Sequence, residues 1–292
     1  MTPADLPGPR LPFSAPRTVD RLDECRFYHT MDLPGFGTVE GPWDLRAGVD
    51  DYLGGSRAGS SGGAAFAGRR VLEIGTASGF LCFEMERRGA EVVAYDLTDR
   101  ADGWDIVPFD GTPDQALIAE RAEGMRAINN GWWLAHRALG SSARVVYGSV
   151  YDLPESIGAV DTAVFGAVLL HLRDPFLALQ RALVLTRESV IVTEVASRAA
   201  RGLSRVPTAA RLALVASRRL PADLGFMPDA RTGGPTETWW RLTPWAVARM
   251  LGVLGFDVTR LSFHSPLFQG APCPMYTVVA HRRTGTRVPA RG

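Results

Sequence analysis

Short apolar runs alternate with helix-like segments along most of this chain, and this alternation limits the possible fold more than any other feature. Strands are predicted at RRVLEIG (69–75), EVVAYDL (91–97), ARVVYGSV (143–150), VDTAVFGAVLL (160–170), SVIVTEVA (189–196), FDVTRLSF (256–263) and PMYTVVAH (274–281). Helices are predicted between them. The pattern indicates an α/β fold with a mostly parallel sheet of seven strands. Because two strands follow the final helix, we expect an antiparallel hairpin at one edge.

The longest predicted helix, over 114–140, contains two glycines. Gly124 and Gly131 are the positions where it could break, since glycine in a helix interior is unfavourable.

Length and composition are consistent with one elaborated domain. The chain has 292 residues, 46% of them hydrophobic, which is enough for a sizeable core. Residues 1–66 are expected to form an N-terminal element and a flexible linker that cover the site, because 54–68 is rich in Gly and Ser. Residues 67–292 are expected to form the main domain, with an Arg-rich, substrate-side insertion at about 196–240.

Charge and cysteine content exclude several classes of function. The 32 basic residues balance 31 acidic ones, so nucleic acid and anionic membranes are not expected partners. All the basic residues are Arg, which excludes lysine-based catalysis. Cys25, Cys82 and Cys273 are isolated, so neither a disulfide framework nor a metal site is predicted. No run reaches the ~18 apolar residues of a membrane span, and a cytoplasmic protein is expected.

The segment VLEIGTASGF, residues 71–80, joins the first predicted strand to a helix. It fails the dinucleotide pattern G-x-G-x-x-G, because Ala77 and Phe80 stand at the second and third glycine positions. It also lacks the G-K-[ST] of a phosphate-binding loop. It does fit acid-x-Gly-x-Gly-x-Gly through Glu73, Gly75 and Gly79, with alanine in place of the middle glycine. An acid also ends the second strand, at Asp96, where a carboxylate can accept both hydroxyls of a ribose.

From about residue 69 to 195 the sequence resembles class I S-adenosylmethionine methyltransferases, a Rossmann-like family. Two further motifs carry the resemblance, GSVYDLP (148–154) and FGAVLLHLRDP (165–175). The resemblance implies S-adenosylmethionine (SAM) as the cofactor. It also implies the cofactor-binding residues, which are Glu73, Gly75, Thr76, Ala77, Gly79, Asp96, Leu97, Ser149, Val150 and Gly166. Among them, Glu73 would face the ammonium group, Asp96 the ribose and Ser149 with Val150 the adenine.

Three segments, FYHTMDLPGFGTVEGPWDLR (27–46), VLLHLRDPFLAL (168–179) and ETWWRLTP (237–244), carry a narrower resemblance. They resemble the branch that includes the tRNA wobble-uridine carboxymethyltransferase and many small methyltransferases. That enzyme holds the extra carboxylate of its modified cofactor with a tyrosine just before the histidine of the last motif, and with a lysine. In this sequence Leu170 occupies the tyrosine position and no lysine exists. We therefore expect ordinary SAM.

Two histidines are candidates for a general base that would deprotonate an acceptor hydroxyl. His171 lies in the last motif, and His29 lies in the segment FYHTMDLPG, which could be brought over the site. Either could instead be structural.

Tyr28, Trp239 and Trp240 are candidates for an acceptor pocket, although core packing is the commoner fate of such aromatics. The Arg-rich residues 196–231 would form a solvated cover or help to recognise an anionic acceptor. The expected function is methylation of a small molecule, most directly at oxygen. The alternatives are an RNA-modifying transferase, a non-catalytic SAM-binding protein and, more distantly, an NAD-dependent oxidoreductase.

Overall fold

The computed structural model describes residues 12–55, 66–100, 104–112, 114–217, 219–220 and 222–286. Most of the predicted flexible linker (56–65) lies outside these residues. The strands are β1 (Met31–Leu33), β2 (Gly37–Val39), β3 (Trp43–Asp44), β4 (Arg70–Ile74), β5 (Glu91–Asp96), β6 (Arg144–Tyr147), β7 (Val160–Gly166), β8 (Thr186–Val195), β9 (Leu224–Phe226), β10 (Trp240–Leu242), β11 (Phe256–His264), β12 (Leu267–Phe268), β13 (Ala271–Pro272) and β14 (Met275–Arg282). The helices are α1 (Val49–Tyr52), α2 (Phe80–Arg87), α3 (Gln115–Leu139), α4 (Pro175–Leu185), α5 (Arg198–Leu203), α6 (Thr208–Ala216) and α7 (Pro244–Val253).

Seven strands form one sheet in the order β11-β14-β8-β7-β4-β5-β6. Strands β8, β7, β4, β5 and β6 run parallel to one another. Strand β14 is antiparallel to both β8 and β11, so β11 and β14 form an antiparallel hairpin at one edge. The predicted α/β fold, with a mostly parallel seven-stranded sheet and an antiparallel edge hairpin, is confirmed. Within this sheet, the chain enters at β4, runs outward to β6 and returns to β7 on the other side of β4. Strand order therefore reverses beside β4, where such sheets bind ligands.

Both faces of the sheet are buried, which explains why its central strands read as continuous apolar runs. On β4, Leu72 and Ile74 belong to one core cluster with residues of α4 and α7. Val71, just before them, faces the other core cluster with residues of α2 and α3. The same second cluster includes Phe27 and other side chains from the N-terminal element. The N-terminal element therefore packs onto the face that carries α2 and α3.

Helix α3 is continuous through both glycines, which lie where the backbone and side chain of Arg26 pack against the helix. The backbone N–H of Arg26 donates to the carbonyl of Ala127 at 2.8 Å. A Cβ on Gly131 would lie 2.8 Å from the Arg26 carbonyl oxygen, and one on Gly124 would lie 3.6 Å from its guanidinium. The crossing N-terminal segment requires glycine at Gly131, whereas Gly124 has room for a side chain. Asp114 caps the first turn of the helix by accepting from two backbone N–H groups.

The Arg-rich segment contains two short helices, α5 and α6, followed by the hairpin β9–β10. No helix among the residues described above combines the length and apolar character that a membrane span needs. Within the same residues, no group of three or more His, Cys, Asp or Glu side chains is placed to hold a metal ion.

Candidate functional site

A cavity of about 340 Å³ opens at the carboxyl ends of β4, β5 and β7, where strand order reverses. Its volume is within the range of small-molecule sites. Three connecting segments complete its wall above the sheet: residues 26–29 of the N-terminal element, residues 104–105, and Glu237 before β10. The cavity therefore lies where the sequence places its candidate site.

The loop after β4 adopts left-handed backbone at every second residue. The φ angles are 80° at Gly75, 49° at Ala77 and 92° at Gly79. This explains the spacing of the glycines, because an L-residue in this region costs about 1–2 kcal/mol. Ala77 carries that cost, and a hydrogen bond holds it in place: its N–H donates to Oδ2 of Asp96 at 2.6 Å.

Asp96 connects the loop to the end of β5 and lines the cavity. Its Oδ1 accepts from the N–H of Leu97 at 2.7 Å, so each carboxylate oxygen has one backbone donor. Burial raises the pKa of Asp96 to about 6, against the opposite effect of these two N–H groups. The side chain is therefore mainly ionised at pH 7, and each oxygen can accept a further hydrogen bond from a ligand hydroxyl.

Glu73 occupies a different position from the one its predicted role requires. Its side chain is 1% exposed, beside Thr76, and it is not among the residues that line the cavity. Burial raises the pKa of Glu73 to about 8, and its Oε2 has no hydrogen-bond partner among the described residues. Asp96 therefore faces the cavity, whereas Glu73 lies behind the loop.

The structure brings most of the predicted site residues together around the cavity. Those on its wall are Tyr28, His29, Gly75, Ala77, Asp96, Leu97, Val150, Gly166 and His171. Those away from the wall are Glu73, Thr76, Gly79, Ser149, Trp239 and Trp240. Thr76 and Gly79 shape the loop through a backbone hydrogen bond of 2.8 Å. Ser149 caps the turn after β6 by accepting from the N–H of Tyr151.

His171 is held in one tautomer on the cavity wall. Its Nδ1 lies 2.6 Å from the carbonyl oxygen of Glu237, and a carbonyl can only accept, so Nδ1 carries the proton. The Nε2 atom therefore keeps its lone pair. Burial lowers the pKa of His171, which keeps the imidazole neutral at physiological pH. A neutral imidazole with a fixed, basic Nε2 can act as a general base.

His29 is also on the wall but in a drier environment. It is 7% exposed and lies between the rings of Tyr28 and Phe80, at centroid distances of 5.2 and 5.7 Å. Burial lowers the pKa of His29 to about 3. A base with so low a pKa is poorly matched to neutral pH, so the geometry favours His171 over His29 for proton transfer.

The two tryptophans before α7 lie outside the main cavity, and each donates a hydrogen bond to a backbone carbonyl. The indole N–H of Trp239 donates to the carbonyl of Asp105 at 2.5 Å, and that of Trp240 to the carbonyl of Arg173 at 3.1 Å. Trp240 lines a smaller cavity of about 150 Å³, together with Glu194. Trp239 thus positions residues 104–105, and its own ring is not on the wall of the main cavity.

Sequence reasoning missed four charged residues on the wall, Arg26, Asp105, Arg121 and Glu237. Arg121 forms an ion pair with Glu237 across the cavity mouth, and Asp105 accepts from the N–H of Arg173 at 2.7 Å. Two of the four had a sequence signal: Arg26 and Glu237 each lie two residues before an aromatic candidate, Tyr28 and Trp239.

Glu194, near the end of β8, is a buried acid that the sequence analysis did not single out. Its side chain is 1% exposed, Oε1 accepts from the N–H of Leu169 at 2.8 Å, and Oε2 has no partner among the described residues. Burial raises the pKa of Glu194 to about 8. Between its ordinary pKa of 4.5 and about 8, the folded protein therefore keeps a proton that the unfolded chain releases. In that window the free energy of unfolding falls by ~1.4 kcal/mol per pH unit from this group.

We expect Glu194→Gln to remove this loss, because the amide does not titrate and can still accept from Leu169. The variant should gain stability over the wild type as pH rises from 5 to 8, reaching about 2–3 kcal/mol near pH 7. Urea unfolding at several pH values measures the difference. Glu188→Gln, on the exposed start of the same strand, is the control and should show no such trend. A difference between Glu194→Gln and the wild type that does not change with pH would contradict the expectation.

Comparison with known proteins gives no family: no family model matches the sequence, and no curated protein matches it. Several solved structures are similar. One is a magnesium protoporphyrin IX methyltransferase from Synechocystis with S-adenosylhomocysteine bound, at 14% identity, covering 74% of this chain and 75% of that chain with a TM-score of 0.44. Another is the 1,6-didemethyltoxoflavin-N1-methyltransferase of Burkholderia thailandensis, at 16% identity, with coverage of 74% and 72% and a TM-score of 0.42. A third is the N-terminal domain of EvdMO1 with S-adenosylhomocysteine bound, at 14% identity, with coverage of 90% and 93% and a TM-score of 0.44.

Likeness at these TM-scores carries no argument about what this chain does.

Proposed function

We propose that this chain is a SAM-dependent methyltransferase that acts on a small molecule, with a hydroxyl oxygen as the acceptor atom. One juxtaposition carries the proposal: Asp96 and the loop at Gly75–Ala77 share a single cavity with the basic Nε2 of His171. Such a reaction needs a carboxylate to bind the ribose, a turn to bind the amino-acid end of the cofactor, and a base to deprotonate the acceptor.

The donors and acceptors on the wall fit the cofactor. When bound, SAM supplies a methyl group on a sulfonium, which an aligned nucleophile can displace. Asp96 would accept from the ribose hydroxyls, and Val150 and Leu97 would flank the adenine. Gly166 lines the cavity and would lie near the methionine part. Its lack of a side chain is explained by packing, because a Cβ would stand 2.9 Å from Leu81 and 3.3 Å from Tyr52.

The residues of this chain would prepare the acceptor. His171 would take the proton of the acceptor hydroxyl at Nε2, while the Glu237 carbonyl stabilises the positive charge on the ring through Nδ1–H. The wall built by residues 26–29, 104–105 and Glu237 would exclude water and align the acceptor oxygen. Ordinary SAM remains our proposal, because Leu170 offers no hydroxyl where the carboxymethyltransferase has its tyrosine.

The cofactor part of the proposal is tested by binding. We expect Asp96→Ala to weaken the binding of S-adenosylhomocysteine at least about tenfold, the scale of a lost hydrogen bond to a charged group. Titration calorimetry measures this. Asp99→Ala is the matched control, since Asp99 is a partly exposed acid on the same connection, paired with Arg17 away from the wall. Wild-type protein that is folded and binds no S-adenosylhomocysteine would refute the cofactor assignment.

The reaction is tested by labelling. The protein is incubated with isotopically labelled SAM and either a metabolite extract or total RNA, and the products are analysed by mass spectrometry. Label in a small molecule, as a methyl ether or ester, is the expected result. Label only in RNA would favour the RNA-modifying alternative, and cofactor binding without transfer to either fraction would favour a non-catalytic binding protein.

A further inference from the structure

The wall of the cavity carries one guanidinium that the protein itself does not neutralise. Arg26 lines the cavity and is exposed, and no hydrogen bond or ion pair joins its side chain to another residue within the described part of the chain. The other charged groups above the sheet have partners. Arg121 is paired with Glu237, and Asp105 accepts from a backbone N–H and lies 4.0 Å from the Arg173 guanidinium.

The backbone of this segment is fixed, so the guanidinium extends from a firm base. The N–H of Arg26 donates to Ala127, and its carbonyl lies against Gly131 of α3. Two residues later, the N–H of Tyr28 donates to the hydroxyl of Ser78, in the loop after β4, at 3.0 Å. A ligand that binds Arg26 therefore pays little to order the chain.

The Arg26 side chain lies against the N-terminal half of α3, further from the sheet than the residues proposed to bind the cofactor. Asn129 marks the level of the sheet edge, because its side-chain amide donates to the carbonyl of Leu97 at 3.3 Å. Gly124, beside the Arg26 guanidinium, is five residues earlier on the helix, which is about 7 Å further out along its axis. The guanidinium thus lies on the acceptor side of the cavity.

Besides the paired charges, the wall carries apolar side chains, among them Trp104, Met125 and Leu172. We propose that the acceptor has an apolar body and an anionic group, a carboxylate or a phosphate, and that Arg26 binds this group. The proposal rests on the proposed function, because it assigns the other half of the cavity to the cofactor.

The test uses benzoate and benzamide, two probes of nearly the same shape that differ in charge. Saturation-transfer NMR measures their affinities for the protein saturated with S-adenosylhomocysteine. We expect benzoate to bind about tenfold more tightly than benzamide, and Arg26→Met to abolish the difference. Arg26→Lys should keep part of it. Arg126→Met, an exposed residue of α3 paired with Glu123, should behave as the wild type.

Three outcomes would overturn the proposal. They are equal binding of the two probes, a preference for benzoate that survives Arg26→Met, and no binding of benzoate at about 10 mM, well above the ~1 mM typical of a weak contact. A further measurement distinguishes an anionic group on the acceptor from the carboxylate of the cofactor. If Arg26→Met weakens S-adenosylhomocysteine but not 5′-methylthioadenosine, which lacks the amino-acid end, Arg26 holds the cofactor carboxylate and the acceptor assignment is wrong.

Failure of the proposed function would look different. Wild-type protein that binds no S-adenosylhomocysteine refutes the cofactor, and the probe comparison on the unliganded protein still decides whether Arg26 binds anions.

Discussion

Replacing His171 with glutamine is expected to lower kcat by ~10²–10⁴-fold, the usual contribution of a positioned general base. Glutamine can still donate to the Glu237 carbonyl, but it has no basic nitrogen to take the acceptor proton. Affinity for S-adenosylhomocysteine should change little, because the proposed cofactor ligands are on the strand ends and their loops. The measurement is steady-state kinetics with the acceptor found by labelling, alongside calorimetry of the cofactor product.

His281→Gln is the matched control, since His281 lies on the edge hairpin and bonds Thr259. It should leave kcat unchanged. The pH profile gives a second check: burial lowers the pKa of His171 below its ordinary 6.5, so the acid limb of kcat should fall below pH 6.5. Equal losses of kcat and cofactor affinity in His171→Gln would indicate a structural histidine.

Replacing Gly79 with alanine is expected to destabilise the protein by about 3 kcal/mol or more. The residue has a φ of 92°, which costs an L-residue about 1–2 kcal/mol. A Cβ would also lie 2.4 Å from the Phe83 ring and 2.7 Å from Trp132, both of them buried, and such overlap costs about 1–3 kcal/mol. Urea unfolding at pH 7 measures the change.

Gly252→Ala is the control, because Gly252 lies within α7 and has no atom within 4 Å of a built Cβ. Alanine there should stabilise the helix by up to about 1 kcal/mol. A Gly79→Ala protein as stable as the wild type would mean that α2 starts with a different backbone from the one observed.

The sheet, and the placing of most proposed cofactor residues at one cavity, could be predicted because these features are encoded locally. Each strand end and the loop after it are contiguous in sequence, so the spacing of Gly75, Ala77 and Gly79 reports the left-handed positions directly. The same holds for Asp96, which ends its strand. Glu73 shows the limit of such reasoning: the pattern marks an acid, but the direction of its side chain follows from the register of β4 in the sheet.

The acceptor half could not be predicted, since it is assembled from segments far apart in the chain. Arg121 forms an ion pair with Glu237, and Trp239 donates a hydrogen bond to Asp105. In each case the partners are more than a hundred residues apart in the sequence. No spacing in the sequence signals such a contact. The unbroken course of α3 was missed for the same reason, because Gly131 has its cause in the distant Arg26.

The division of the wall has a consequence for how this protein can change. Above the sheet, the wall that would touch the acceptor is formed by connections and by one face of α3, whereas the strand ends form the floor beneath. Substitutions in residues 26–29, 104–105 or around Glu237 can therefore reshape what is admitted while the strand pairing and the floor are inherited intact. Under the proposed function, divergent copies of this chain should keep one cofactor and differ in the compounds they modify.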